Sequence, residues 1–117
     1  MAATVLIVDD HATFRALARR MLEAYGYHVV GEAQDGASAV AATARLHPSV
    51  VLLDIHLPDT DGFAVAEALV AGEDPPAVVL ISSRDASAYR RRLADTPARG
   101  FLAKSELTGP AFAALVA

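Results

Sequence analysis

Short apolar runs, alternating with stretches of helical periodicity, leave this chain few ways to fold. The clearest run is Val50-Val51-Leu52-Leu53, which leads straight into Asp54 and is followed at once by the turn chemistry of Pro58 and Asp61-Gly62. A continuous apolar run bounded by turn signals marks a strand buried on both faces. Four further runs share the form. Thr4–Val8 ends in Asp9-Asp10, His28–Ala33 in the Asp35-Gly36 turn, Ala77–Ile81 in Ser82-Ser83, and Arg99–Ala103 in Lys104. Between them, apolar residues recur at helical spacing. Phe14, Leu17, Ala18, Met21, Leu22 and Tyr25 form one stripe, closed by Gly26 and with Arg15, Arg19 and Arg20 facing elsewhere. Ala37, Val40, Ala41 and Ala44 form the next, ended before Pro48, and Phe63, Ala66, Leu69 and Val70 a third, stopped by Gly72 and Pro75-Pro76. A weaker helix covers roughly Ala86–Ala94, and Thr108-Gly109-Pro110 opens a last one with Phe112, Leu115 and Val116 inward. Strand and helix thus alternate along the whole chain, which predicts an α/β fold: a doubly wound five-stranded parallel sheet with helices on both faces.

A chain of 117 residues has room for one domain with one core. The absence of cysteine excludes a disulfide framework, a thiol nucleophile and thiolate metal ligation. A net charge of -4 argues against a general nucleic-acid surface. The first residues lack the basic and long apolar segments of a signal peptide, and no stretch is apolar enough to span a bilayer, so no membrane association and a cytoplasmic location are expected.

In a parallel sheet every strand's carboxyl end reaches the same edge. That edge collects Asp9 and Asp10 from the first strand, Asp54 from the third, Ser82 from the fourth and Lys104 from the fifth. Three neighbouring carboxylates repel, and their shared charge raises at least one pKa. A divalent cation relieves the repulsion, and an all-oxygen ligand set suits Mg²⁺, which takes one or two carboxylates with substrate phosphate and water. A carboxylate beside Mg²⁺ can attack phosphorus to form an aspartyl phosphate. The lysine ammonium and the serine hydroxyl can then each pair with a phosphoryl oxygen.

Val8-Asp9-Asp10-His11, Leu52–Gly62 with Asp54 inside it, Ile81-Ser82-Ser83 and Gly100-Phe101-Leu102-Ala103-Lys104 stand in order along the chain. In these pieces the chain resembles the receiver domain of two-component response regulators. Phe14-Arg15 and Val30-Gly31-Glu32-Ala33 with Asp35-Gly36 look most like receivers attached to LuxR-type DNA-binding domains. The resemblance implies a flavodoxin-like strand order 2-1-3-4-5 and one receiver domain over residues 1–117. It implies that Asp54 accepts a phosphoryl group from a sensor histidine kinase or phosphotransfer protein in a Mg²⁺-dependent reaction. Asp10 and Asp54 would bind the metal directly, Asp9 through water, and the His56 backbone carbonyl would complete the protein's ligands. Ser82 and Lys104 would hold the phosphoryl group, Phe101 would follow Ser82 as the aromatic switch, and His56 and Arg84 would tune the phosphoryl lifetime. Tyr89, Arg90, Arg91 and Arg92 would belong to the face read by an output effector or DNA-binding domain, and phosphorylation-driven homodimers are compatible with the family.

Three departures from the family pattern bear on the switch. Ser105 stands where many receivers have proline, Phe101 replaces a commoner tyrosine, and Leu93–Arg99 lacks the usual glycine-alanine pair while Pro97 threatens an early end to the fourth helix. Taken singly, each motif also has a plainer reading. Asp9 and Asp10 can simply cap a helix, Ser82 can be a loop residue, Lys104 a solvated surface lysine, and the Tyr89–Arg92 run a solvated helix face. His11, His28 and His47 show no metal-site spacing. Three rival functions are weighed on the same residues. A Mg²⁺-dependent aspartyl-phosphate phosphohydrolase needs a second Asp two residues after the first, where this chain has His56. A degenerate receiver acting by protein contacts alone would not use the acidic cluster. A flavodoxin-like binder is disfavoured because no glycine-rich phosphate loop follows the first strand. The expected protein is a signalling switch that catalyses its own phosphorylation, not a turnover enzyme.

Overall fold

The computed structural model describes residues 3–117. Strands β1 (Thr4–Val8), β2 (His28–Ala33), β3 (Val50–Asp54), β4 (Ala77–Ser82) and β5 (Gly100–Ala103) pair in parallel in the order β2-β1-β3-β4-β5. Helices α1 (Ala12–Ala24), α2 (Gly36–Leu46), α3 (Gly62–Val70), α4 (Arg90–Asp95) and α5 (Gly109–Val116) connect and follow them. This is the doubly wound parallel sheet expected from the alternating pattern, in the flavodoxin-like order that the resemblance implies. β4 runs one residue further than its apolar run, to Ser82, and β5 begins at Gly100 rather than Arg99.

The pleat sorts the core into two layers. Leu6, Val8, Val51, Leu53, Val78 and Leu80 meet Ala39 and Ala42 of α2 and Phe63, Ala66 and Leu69 of α3. Val5, Ile7, Leu52, Val79 and Ile81 meet Ala18 and Leu22 of α1 and Phe112 of α5. Because β1, β3 and β4 are buried on both faces, their sequences are continuously apolar instead of alternating. Each large side chain so buried contributes about 1.5–3 kcal/mol of transfer free energy, which makes the three central strands a rigid base for their carboxyl ends.

Caps fix where the helices begin. Asp35 caps α2 through Ser38 N–H, and Ser38 Oγ answers from the third helical position. Asp59, in the loop after β3, also accepts from Gly36 N–H at 2.8 Å and Ala37 N–H at 3.0 Å, which holds its carboxyl below the usual range. Asp61 caps α3 through Ala64 N–H at 2.9 Å, and Thr108 caps α5. Gly26, past the end of α1, takes φ 104°, a conformation side chains disfavour.

Three expectations change. Helix α2 turns Ala39, Ala42 and Leu46 inward and leaves Ala37, Val40, Ala41 and Ala44 exposed. An alanine-rich helix carries a weak amphipathic signal, and small residues at 39 and 42 are what let it lie close to the sheet. In α1, Leu17 is 55% exposed and Tyr25 50% exposed, so the inward stripe reduces to Phe14, Ala18, Met21 and Leu22. The fourth helix is split into a 3-10 turn at Ala86–Tyr89, capped by Asp85, and the six-residue α4. Thr96 is extended ahead of Pro97, so α4 stops at Asp95, as the proline requires. The described residues contain no cis peptide bond, so Lys104–Ser105 is trans. No helix among them is long and apolar enough to cross a membrane.

Candidate phosphoacceptor site

Register brings the strand ends together. Val8 pairs with Leu53, Asp54 with Ile81 and Ser82 with Ala103, so Asp9, Asp54, Ser82 and Lys104 meet at one edge of the sheet. Asp9 is fully buried and Asp54 is 3% exposed, while Asp10 lies at the surface. Lys104 Nζ sits between the two buried carboxylates, 2.6 Å from Asp9 Oδ2 and 3.2 Å from Asp54 Oδ2, and 4.4 Å above the centre of the Phe14 ring. Asp9 Oδ1 accepts from His11 N–H at 2.8 Å and Asp54 Oδ1 from His56 N–H at 3.0 Å. Arg15 Nη1 donates to the Asp9 carbonyl at 2.6 Å while its Nε pairs with Glu32 at 2.9 Å, tying the acidic pair to α1 and β2.

The charges are unevenly shared. Burial pushes the Asp54 carboxyl up to about 6, and the neighbouring Asp9 charge adds to the rise against the opposing His56 N–H and Lys104. Burial also works to raise Asp9, but the bonds from Lys104 and His11 outweigh it and hold that carboxyl below its ordinary value. Lys104 loses stability as a cation through burial yet is raised overall by its two carboxylate partners. The resting site therefore resembles a buried ion pair, Lys104 with Asp9, beside a second carboxylate whose charge is poorly compensated. Asp9, Asp10, Asp54 and the His11 ring each offer a ligand atom, all within 4.8 Å of one another. Carboxylates in that arrangement fit a hard divalent cation. His11 belongs to this cluster although its sequence spacing gave no sign of it: its Nδ1 lies 3.0 Å from Asp10 Oδ1.

Gly62 shapes the backbone at Asp54 directly. It opens α3 where that helix crosses the end of β3, and a Cβ there would overlap the Asp54 carbonyl oxygen and lie 2.8 Å from Ile55 Cα. Both obstacles are backbone and cannot step aside. Gly62→Ala is expected to lower stability by about 1–3 kcal/mol and to slow phosphoryl uptake by displacing Asp54. Urea midpoints with parallel uptake rates would check this, and a wild-type value for both would count against the assignment.

The remaining expected positions separate into two groups. Ser82 is fully buried, accepting from Arg84 N–H at 3.1 Å and pairing with Tyr89 Oη at 2.7 Å. Phe101 is half-buried against the Tyr89 ring. His56 is exposed, with Nε2 2.6 Å from Tyr89 Oη, and the Arg84 side chain is exposed as well. Arg90 and Arg91 lie on the surface of α4; Arg92 bonds to Asp61 Oδ1 at 3.0 Å and stacks 4.3 Å over the Phe63 ring. The assignment of Tyr89 to that surface is corrected: only 8% of it is exposed. Its ring packs between Phe63 and Phe101 and its hydroxyl is satisfied by Ser82 and His56, so burial gains apolar contact at no hydrogen-bond cost. The sequence held only a weak signal for this: phenylalanine at 101 gives β5 no hydroxyl at that position, while a tyrosine beside three arginines reads as a solvated face. A cavity of about 420 Å³ lies at the opposite sheet edge, between α2 and the segment before β4; it is lined by Thr43, His47, Leu69 and Pro75 and includes none of these residues.

A parallel sheet of this order, with paired aspartates after β1, one aspartate ending β3, a hydroxyl ending β4 and a lysine after β5, defines a receiver domain. The chain belongs to the response regulator receiver domain family, which residues 5–111 match. It is 42% identical over 101 residues to the transcriptional regulatory protein NarL of Mycobacterium tuberculosis, a match covering 86% of this chain and 47% of that protein. It is 33% identical over 102 residues to the virulence transcription regulator BvgA of Bordetella pertussis, covering 87% of this chain and 49% of the relative. The chain thus spans about half the length of the curated relatives it matches. The solved signal receiver domain of the M. tuberculosis NarL response regulator superposes with a TM-score of 0.83 at 36% identity, covering 97% of this chain and 96% of that one.

Proposed function

We propose that residues 1–117 act as one receiver domain in which Asp54 accepts a phosphoryl group from the phosphohistidine of a sensor kinase or phosphotransfer protein. The observation that carries this is the Lys104 ammonium held between two buried carboxylates, one of them Asp54 with its raised pKa. At neutral pH Asp54 is ionised yet more basic than an ordinary aspartate, which favours it as a nucleophile. One Asp54 oxygen attacks phosphorus, the P–O bond forms as the P–N bond breaks, and the electron pair returns to the donor imidazole nitrogen, which takes up a proton. Lys104 turns from Asp54 to a phosphoryl oxygen while keeping Asp9 as its partner, and Ser82 donates to another oxygen.

Asp10, Asp54, the His56 carbonyl and, through water, Asp9 would hold Mg²⁺. Bound there, the cation offsets the negative charge of the transferring group. Exposed His56 and Arg84, two residues beyond Asp54 and Ser82, would govern water's access to the acyl phosphate. The added charge at Asp54 biases the β4 end and α4, and an output effector or an attached DNA-binding domain reads the change through Arg90 and Arg91, with homodimerisation as one route. The working location is the cytoplasm, and the role is that of a switch. A phosphohydrolase is not favoured, because the side chain two residues after Asp54 is an imidazole engaged with Tyr89.

Intact mass after incubation with Mg²⁺ and phosphoramidate tests the reading. One phosphoryl group is expected on the wild type, and none on Asp54→Asn or after chelation of the metal. Equal labelling of Asp54→Asn, or none on the wild type, refutes it.

A further inference from the structure

We propose that Tyr89, on the turn before α4, is the residue that couples the acceptor site to α4, in the place where family resemblance puts Phe101. The inference rests on the phosphoacceptor reading of Asp54 and goes beyond it. Ser82 has two partners at rest, the Arg84 N–H at 3.1 Å and Tyr89 Oη at 2.7 Å. Tyr89 Oη also lies 2.6 Å from His56 Nε2. The donor direction that leaves no buried proton without an acceptor runs from Arg84 N–H to Ser82 Oγ, from Ser82 to Tyr89 and from Tyr89 to His56. A serine hydroxyl has one proton. In the resting protein that proton is engaged by Tyr89, so Ser82 reaches a phosphoryl oxygen only by releasing it.

Release leaves the phenol with one partner fewer in a buried setting, which is unfavourable. Phe101 has no hydroxyl to take part in this exchange; it forms a wall against the Tyr89 ring at a centroid distance of 5.9 Å. Tyr89 is the last residue of the 3-10 turn and directly precedes Arg90, the first residue of α4. No side chain of α4 is itself fully buried, so the helix is held inward by Tyr89, the buried side chain just before it, together with half-buried Leu93 and with Arg92 over Phe63. Moving Tyr89 therefore moves α4. His56, at the other end of the same hydroxyl, links the surface beside Asp54 to this anchor.

The chain has three tyrosines, Tyr25, Tyr27 and Tyr89, which makes a direct test practical. Protein carrying ring-¹³C tyrosine is observed with Mg²⁺ before and after addition of beryllofluoride. The Tyr89 resonance is expected to move while those of Tyr25 and Tyr27 hold. In parallel, Tyr89→Phe is expected to take up phosphoryl from phosphoramidate about two- to tenfold faster than the wild type, the range set by losing one neutral hydrogen bond at rest. A small-molecule donor touches no docking surface, so the gain cannot arise from altered kinase contacts. Adduct formation that shifts the Asp54 backbone while the Tyr89 ring stays fixed overturns the inference alone, as does a wild-type uptake rate in a folded Tyr89→Phe. Should that variant not fold, the ring measurement on the wild type decides by itself. Absence of any adduct on the wild type overturns the phosphoacceptor reading and this inference with it.

Discussion

Asp54→Asn is expected to be more stable than the wild type by about 2–3 kcal/mol at neutral pH without metal. The Asp54 carboxyl is raised from 3.8 to about 6, first by burial and then by the charge of Asp9. At ~1.36 kcal/mol per pH unit, a rise of that size corresponds to about 3 kcal/mol of disfavoured charge. The sign follows from proton uptake. Between pH about 4 and about 6 the folded state holds a proton that the unfolded chain has lost, so native stability falls as pH rises through that window and stays reduced above it. Asparagine removes the charge and the penalty, while Lys104 keeps Asp9 as its partner. The advantage of the variant should therefore vanish below pH about 4. Thermal unfolding at acid and neutral pH measures it directly. A pH-independent difference, or a less stable variant at neutral pH, would refute the account. Mg²⁺ should stabilise the wild type far more than the variant, because only the former has the unfavourable charge to relieve.

Lys104→Ala should have the opposite effect, with a loss of about 3–5 kcal/mol at neutral pH in metal-free solution. The substitution leaves the fully buried Asp9 and the 3%-exposed Asp54 with no cation at 2.6 Å and 3.2 Å, and an orphaned buried charge is among the costliest single changes a domain can suffer. Again pH discriminates. Lys104 holds Asp9 below its ordinary value, so removing it lets Asp9 take up a proton in the folded state, and the deficit should shrink as pH falls toward 4. Mg²⁺ supplies a replacement charge and should recover part of the stability without recovering the phosphoryl uptake rate, since nothing then pairs with the transferred group's remaining oxygens. Denaturant midpoints with and without Mg²⁺, alongside uptake rates, separate the two roles. Unchanged stability at neutral pH would show that water, not Lys104, compensates Asp9.

The strands were legible because burial on both faces writes itself as an unbroken apolar run, and the acidic edge followed once the runs were placed parallel. Val50–Asp54, Thr4–Val8 and His28–Ala33 are read to the residue. Helix faces were harder. In α2 nearly every position is small or apolar, so periodicity could not choose between Ala39-Ala42 and Val40-Ala44; contact with β2 chose. The site's polar partners were harder still. A tyrosine beside three arginines looks like a solvated face, and only the chain's 3-10 turn brings its ring under Phe101 and its hydroxyl to Ser82. Likewise the Asp61-Gly62 pair signals a turn, but nothing in the sequence says that the glycine lies against the backbone of Asp54.

The brevity of α4 bears on how such a protein diverges. Its six residues contribute no fully buried side chain, and Arg90 and Arg91 extend from it into solvent. Substitutions at positions of that kind commonly shift stability by no more than about 0.5 kcal/mol. Mutation can therefore rewrite Arg90 and Arg91 almost freely, while Arg92 and Leu93 keep the helix on Phe63 and the core, and β1, β3 and their aspartates are held in place. On the proposed reading, the chemistry and the surface that reports it evolve under separate constraints, and a lineage can exchange one listener for another without rebuilding the message.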